Sequence, residues 1–127
     1  RAYAAAAVAP VSKIFSLGLD AEPDQPLPKK VLTRISNTEE LNWVESTRGN
    51  EILHPGKLLF SAKEATYKAW NSATKEWLGF RDAHIIFHIE NQTFTVSISR
   101  PSSMQKLSGT FGIDRGIIMT AIEIPVS

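Results

Sequence analysis

The 127-residue chain contains no cysteine, which removes disulfide scaffolds, thiolate zinc sites and cysteine nucleophiles from consideration. It also lacks an excess of either charge: 14 Lys and Arg stand against 13 Asp and Glu, a net of +1. Nothing in that balance marks a nucleic-acid binder. No apolar run approaches the ~20 residues that a membrane-crossing helix needs. The opening Arg1–Pro10 lacks the basic-then-apolar order of a secretory signal. No G-x-S-x-G elbow, Walker A loop, dinucleotide fingerprint or H-E-x-x-H pair occurs. The expectation is a soluble, cytoplasmic protein with no nucleic-acid and no membrane partner. There is no initiator methionine, and an apolar run, Ala2–Ala9, begins at the first residues. Domains rarely open inside a core element, so a fragment, a processed chain or one piece of a larger protein is expected.

What is present suits a single domain over residues 1–127, with 43% hydrophobic residues to build a core. Ala2–Ala9 fits a helix by propensity and a strand of small side chains by length. Ile14–Glu22 has the period of a strand: Phe15, Leu17 and Leu19 alternate with Ser16, Gly18 and Asp20. Pro23, Pro26 and Pro28 force a loop, and Pro28 sits near the start of a short helix reaching about Ile35. Asn37 with Glu40 three residues on is a capping signal for a helix to about Thr47. A longer helix, Lys57 to about Ser72, carries Leu58, Leu59, Ala62, Ala65, Ala69 and Trp70 on one stripe. His84–Ile89, Thr93–Ser99, Leu107–Asp114 and Ile117–Ile124 read as strands, with turns at Asn91-Gln92 and Arg115-Gly116 and a loop at Pro101-Ser102-Ser103. The sum is an α+β fold, antiparallel strands with about three helices packed on one face.

Two acidic places could carry chemistry. Asp20 and Glu22 are two apart at a strand's end, so both project from one face. With no basic residue between them they repel unless a cation intervenes, and hard oxygen ligands suit Mg²⁺ or Mn²⁺. A solvated turn bearing two charges fits the same residues. On the long helix, Lys57, Ser61, Glu64 and Lys68 fall on one side, opposite the Leu/Ala stripe, with Lys63 and Tyr67 on the flank between. Glu64 and Lys68 fit an ordinary i,i+4 pair. They also fit a carboxylate holding a cation beside lysines that meet phosphate. His54, His84 and His88 form no ligand motif. Trp43, Trp70 and Trp77 are expected in the core or at its rim, and Gly109 and Gly112 suggest a bulge or a tight approach.

The combination is more specific than its parts. Gly18-Leu19-Asp20-Ala21-Glu22-Pro23 is followed about forty residues later by Phe60-Ser61-Ala62-Lys63-Glu64-Ala65-Thr66-Tyr67-Lys68. In that order and spacing the two resemble the motifs G-(I/V)-D-x-E and (W/F)-S-x-K-E-(A/S)-x-x-K of the 4′-phosphopantetheinyl transferases, nearest to the surfactin/enterobactin-synthetase type. Leu27-Pro28, Leu58-Leu59, Ala69-Trp70 and Leu78-Gly79-Phe80 agree as flanks, and the likeness covers residues 1–124. It implies transfer of the 4′-phosphopantetheine arm of coenzyme A to a serine of an acyl or peptidyl carrier protein, with release of 3′,5′-ADP. It implies Asp20, Glu22 and Glu64 as Mg²⁺ ligands. Glu64, or a metal-bound water it orients, becomes the base for the carrier serine. Lys68 becomes the lysine that contacts phosphate and assists the leaving group, and Lys63 a further coenzyme A phosphate contact.

Members of that type are pseudo-dimers of two similar halves with coenzyme A between them, and this chain resembles the C-terminal half. Arg1-Ala2-Tyr3-Ala4 is similar to the strand that follows a Ser-x-(S/T)-His motif, which would lie upstream. A missing N-terminal half, in the same or another chain, is therefore an expected partner beside coenzyme A and the carrier protein. Two alternatives stand: an inactive interaction domain that keeps the fold, and a single-domain trimeric holo-acyl-carrier-protein synthase.

Overall fold

Residues 14–100 and 103–125 are described by a computed structural model. The elements run β1 (Ile14–Pro23), α1 (Lys29–Ile35), α2 (Thr38–Thr47), α3 (Pro55–Thr74), β2 (Ala83–His88), β3 (Thr93–Arg100), β4 (Ser103–Asp114) and β5 (Ile117–Pro125). The strands form one antiparallel sheet in the order β1-β5-β4-β3-β2. Strands β2 to β5 are a meander, and β1 returns to pair with β5. The expected α+β class holds. Ala2–Ala9 and Pro101-Ser102 lie outside the described residues, and β4 begins at Ser103, earlier than the Leu107 start that hydrophobic alternation suggested. Among the described residues no helix is long and apolar enough to cross a membrane.

Local chemistry explains the boundaries. Asn37 accepts from the Glu40 N–H at 2.8 Å and its own N–H donates to Glu40 Oε1 at 2.9 Å, the reciprocal cap that opens α2. Helix α3 starts at Pro55, where a missing N–H costs nothing, and stops where Lys75 turns left-handed at φ 63°. Arg115 (φ 53°) and Gly116 (φ 78°) make the two-residue turn between β4 and β5, whose positive φ values match the twist of the strands it joins. At the other expected turn the chain makes a short 3₁₀ helix, Ile89–Asn91, before Gln92 at φ 55°.

The core lies between α3 and the sheet. Leu58, Leu59, Ala62, Ala65 and Ala69 of α3 are fully buried against Phe94, Val96, Ile98, Ile118 and Ile122. Helix α3 packs across β1 and β5, and α1 and α2 pack on its other flank. Trp70 is buried and Trp43 stacks on Phe87 with ring centroids 4.5 Å apart. Trp77 departs from expectation, 78% exposed in the segment after α3 has ended.

Strand β1 presents its small and polar side chains inward. Ser16 and Gly18 are buried, and Leu17 and Leu19 face outward. The reason is the closeness of α3. A Cβ on Gly18 would lie 2.0 Å from the Ala65 carbonyl oxygen and 2.9 Å from Ala69 Cβ, so only glycine lets the strand run under the helix. Ser16 Oγ donates to the Ala69 carbonyl at 2.9 Å along the same seam. Gly18→Ala must push two backbones apart, and overpacking of this kind costs roughly 2–3 kcal/mol. Urea denaturation should show that loss; a change under about 0.5 kcal/mol would mean that the seam is slack.

Candidate active site

The seam delivers β1's carboxylates to α3. Because side chains alternate along a strand, the face that carries Ser16 and Gly18 also carries Asp20 and Glu22, paired in register with Thr120 and Ile118 of β5. The Asp20 side chain is only 6% exposed and both of its oxygens are engaged. Ser61 Oγ donates to Oδ2 at 2.9 Å, and Lys68 Nζ donates to Oδ1 at 2.9 Å and to the Leu19 carbonyl at 3.2 Å. Thr120 Oγ1 donates to the Ser61 carbonyl at 3.0 Å, with the two hydroxyl oxygens 2.9 Å apart. Ser61 is therefore fully buried and fastens α3 to β1 and β5. Sequence periodicity placed it on the side away from the core; that side of α3 faces the end of the sheet.

The electrostatics are those of crowded anions. Burial, a hydrogen bond with Asp20 and the charge of Asp20 together push the Glu22 carboxyl up to about 7, with Glu64 adding to the effect and Lys57 opposing it. Burial, then the charge of Asp20, raises Glu64, with Lys68 opposing. Lys68 is itself raised, first by its hydrogen bond to Asp20. Three carboxylates thus feel one another beside the ammonium groups of Lys57 and Lys68.

A pH effect on stability follows. Between about 4.5 and 7 the folded state holds a proton on Glu22 that the unfolded chain has released, so the folded state binds more protons and stability falls as pH rises through that window. The cost is absent below about 4.5 and complete above about 7. Glu22→Gln removes it. In chelator at pH ~8 the variant should gain about 1 kcal/mol after solvent screening, roughly 4 °C in Tm, and nothing at pH ~4. Equal melting of both proteins at both pH values would contradict this.

The donor chemistry suits a hard divalent cation, because hard oxygens that repel one another are relieved by a charge placed among them. The geometry is not yet that of a closed cage: among the described residues no three His, Asp or Glu side chains are grouped so as to hold an ion. Asp20 is turned to Ser61 and Lys68 instead, and the Lys68 ammonium neutralises it where a cation would. Lys68 is 55% exposed on its side chain, so it can swing away.

Lys63, which the resemblance made a coenzyme A phosphate contact, is engaged inside the protein in this structure. Its side chain is 1% exposed, and its ammonium donates to Glu40 Oε1 at 2.9 Å, to the Phe80 carbonyl at 2.9 Å and to the Ile35 carbonyl. All three protons are used inside the protein. Burial lowers the Lys63 ammonium, and the charge of Glu40 opposes the shift. Sequence reading missed Glu40 in this setting and Thr120 altogether. The Asn37/Glu40 capping signal identified Glu40 as a cap, but no local pattern announces its second partner on α3. Two concavities, of ≈ 840 Å³ beside Ser46, Asn50 and His88 and of ≈ 700 Å³ beside Leu27, Leu32 and Leu53, are not lined by any of Asp20, Glu22, Glu64 or Lys68.

Known proteins resemble this chain in sequence and in fold. The family profile of the 4′-phosphopantetheinyl transferase superfamily matches residues 16–117, a span that contains all of the acidic residues above. The 4′-phosphopantetheinyl transferase Npt of Nocardia iowensis is 42% identical over 94% of this chain and 60% of its own length. PptT of Mycobacterium tuberculosis is 39% identical over 94% of this chain and 57% of its own, and Svp of Streptomyces mobaraensis 33% over 96% and 52%. The chain thus spans between half and three-fifths of these relatives. The holo-[acyl-carrier-protein] synthase of Thermotoga maritima superposes with a TM-score of 0.63 over 87% of this chain and 62% of its own. The holo-ACP synthase of Plasmodium yoelii does so at 0.56 over 90% and 96%. At 18% identity each, these two establish a shared fold.

Proposed function

Because the chain belongs to the 4′-phosphopantetheinyl transferase superfamily, we propose that its acidic face serves transfer of the 4′-phosphopantetheine arm of coenzyme A to a carrier-protein serine. The observation that carries this reading is that Asp20, Glu22 and Glu64, from a strand end and a helix face, share one electrostatic neighbourhood with the exposed ammonium of Lys68. In the reaction the serine oxygen forms a bond to the phosphorus that bears the pantetheine arm. The bridging P–O bond of the pyrophosphate breaks, and 3′,5′-ADP leaves with that electron pair. Asp20, Glu22 and Glu64 would hold a Mg²⁺ or Mn²⁺ ion, whose chemistry there is to neutralise pyrophosphate charge.

Glu64 takes the serine proton. Lys68 leaves Asp20 and donates to a phosphate oxygen on the departing side, where negative charge grows. Ser61 and Thr120 hold Asp20 in place throughout. The finer assignments belong to the same proposal: one domain over residues 1–127, acting as the C-terminal half of a two-half enzyme of the surfactin/enterobactin-synthetase type. A second half would supply the other wall of a coenzyme A cleft.

The test uses the full-length protein with coenzyme A, Mg²⁺ and an apo carrier protein, read by mass spectrometry of the carrier. Gain of one phosphopantetheinyl group, lost in chelator and restored by Mg²⁺ or Mn²⁺, is the expected result. An unmodified carrier from each of the fatty-acid, polyketide and peptide classes would overturn the reading.

A further inference from the structure

We infer that Glu40, acting through Lys63, is a positioning residue that sets the rotation of α3 and so aims Glu64 at Asp20. For its kinetic consequence the inference rests on the transferase reading above. Glu40 is 2% exposed, yet its carboxylate is fully occupied. Oε1 accepts from the Asn37 N–H at 2.9 Å and from Lys63 Nζ at 2.9 Å, and Oε2 accepts from the Ile85 N–H at 2.8 Å. Lys63 adds the carbonyls of Ile35 and Phe80, and the Tyr67 hydroxyl donates to that Phe80 carbonyl at 3.3 Å. One buried ion pair therefore joins the end of α1, the start of α2, the middle of α3, the segment after α3 and strand β2.

The pair is more than a cap. A cap needs only Asn37 Oδ1 on the Glu40 N–H and one Glu40 oxygen on the Asn37 N–H, and an apolar neighbour would seal them. Burying an ammonium beside the carboxylate is costly unless every donor and acceptor is met, and here every one is met. What the pair adds is direction. Lys63 immediately precedes Glu64, and successive residues on a helix point about 100° apart. Pinning Lys63 into the α2 and β2 side fixes the angle at which Glu64 leaves the helix. The opposite flank of α3 is pinned to β1 through Ser16–Ala69, Ser61–Asp20 and Lys68–Asp20, and to β5 through Ser61–Thr120. Side-chain atoms lie about 5–6 Å from the helix axis, so a turn of roughly 10° carries the Glu64 carboxylate about 1 Å. A misplacement of that size costs about a hundredfold in a reaction that depends on positioning.

Glu40→Asp withdraws the carboxylate while keeping its charge, and Lys63→Met removes the ammonium at similar length. In the full-length protein, with kcat normalised to the folded fraction, Lys63→Met should lower kcat about 30–100-fold and Glu40→Asp about 10-fold. The KM for coenzyme A should stay within about twofold in each, and the double variant should lose no more than Lys63→Met alone. A raised KM at unchanged kcat in Lys63→Met would make Lys63 a phosphate ligand and overturn the inference. Wild-type kcat in a folded Glu40→Asp would do the same, and that variant decides the matter if Lys63→Met does not fold. A crystal structure of Glu40→Asp gives a readout free of activity: Glu64 should shift by about 1 Å relative to Asp20, and an unmoved Glu64 refutes the inference. If the wild-type protein transfers nothing, the transferase reading fails, and the position of Glu64 in that crystal still decides this one.

Discussion

Asp20→Asn and Glu64→Gln should each lower phosphopantetheine transfer by the full-length protein about a thousandfold or more, a barrier increase of about 4 kcal/mol. On the proposed reading each removes one negative charge from the cation site, and Glu64→Gln also removes the group assigned to take the serine proton. Neither should unfold the protein. The amide oxygen introduced by Asp20→Asn could still accept from Ser61 Oγ, and the Lys68 ammonium released from the pair is 55% exposed and regains water. Relief of the repulsion felt by Glu22 offsets part of the loss of the pair. The combined signature is an inactive protein that melts within about 3 °C of wild type. Full transfer by either variant would remove that residue from the machinery, and a large loss of stability would assign Asp20 to the scaffold instead.

Lys63→Ala should destabilise the folded protein by about 3–5 kcal/mol, the usual cost of leaving one member of a buried ion pair without the other. Glu40 keeps two backbone donors, from Asn37 and Ile85. The carbonyls of Ile35 and Phe80 both lose their lysine donor, and the truncated side chain leaves a void beside a helix packed at crystal-like density. Urea denaturation monitored by circular dichroism measures this. A loss below about 1 kcal/mol would show that water or a shift of α3 replaces the ammonium. The contrast with Asp20 is the point: one lysine of the motif belongs to the framework, and the other, Lys68, to the exposed face.

How much of this could be read from the sequence depends on the range of the interaction. The strands, the turn at Arg115-Gly116 and the cap at Asn37 are set by neighbours a few residues away, and each was legible. The motif residues Asp20, Glu22, Glu64 and Lys68 were legible as chemistry, and the structure brings them into one electrostatic neighbourhood. Their surroundings were not. The alternation in β1 identified a strand but not which face lies inward. That choice is made by α3, whose backbone comes so near Gly18 that the larger Leu17 and Leu19 must point away. Lys63 read as a phosphate contact because its charge is visible in the sequence, whereas the carboxylate that captures it is twenty-three residues upstream. Trp77 read as core because its apolar area is obvious, and the end of α3 two residues earlier, at Lys75, is what leaves it exposed.

The pairing of the first described strand with the last has a kinetic consequence. Asp20 stands opposite Thr120, and Ser61 bonds to both, so the acidic face is closed by contacts that span most of the described chain. Local pieces such as the β2–β4 strands and the capped α2 can form early, because their loops are short. The β1–β5 pairing must wait for residues near the end of the sequence. During synthesis Asp20 and Glu22 leave the ribosome long before Thr120 and Ile118 exist to receive them. The acidic face is therefore among the last parts of the molecule to take shape, and a chain whose synthesis stops short of β5 carries the motif without the arrangement that gives it meaning.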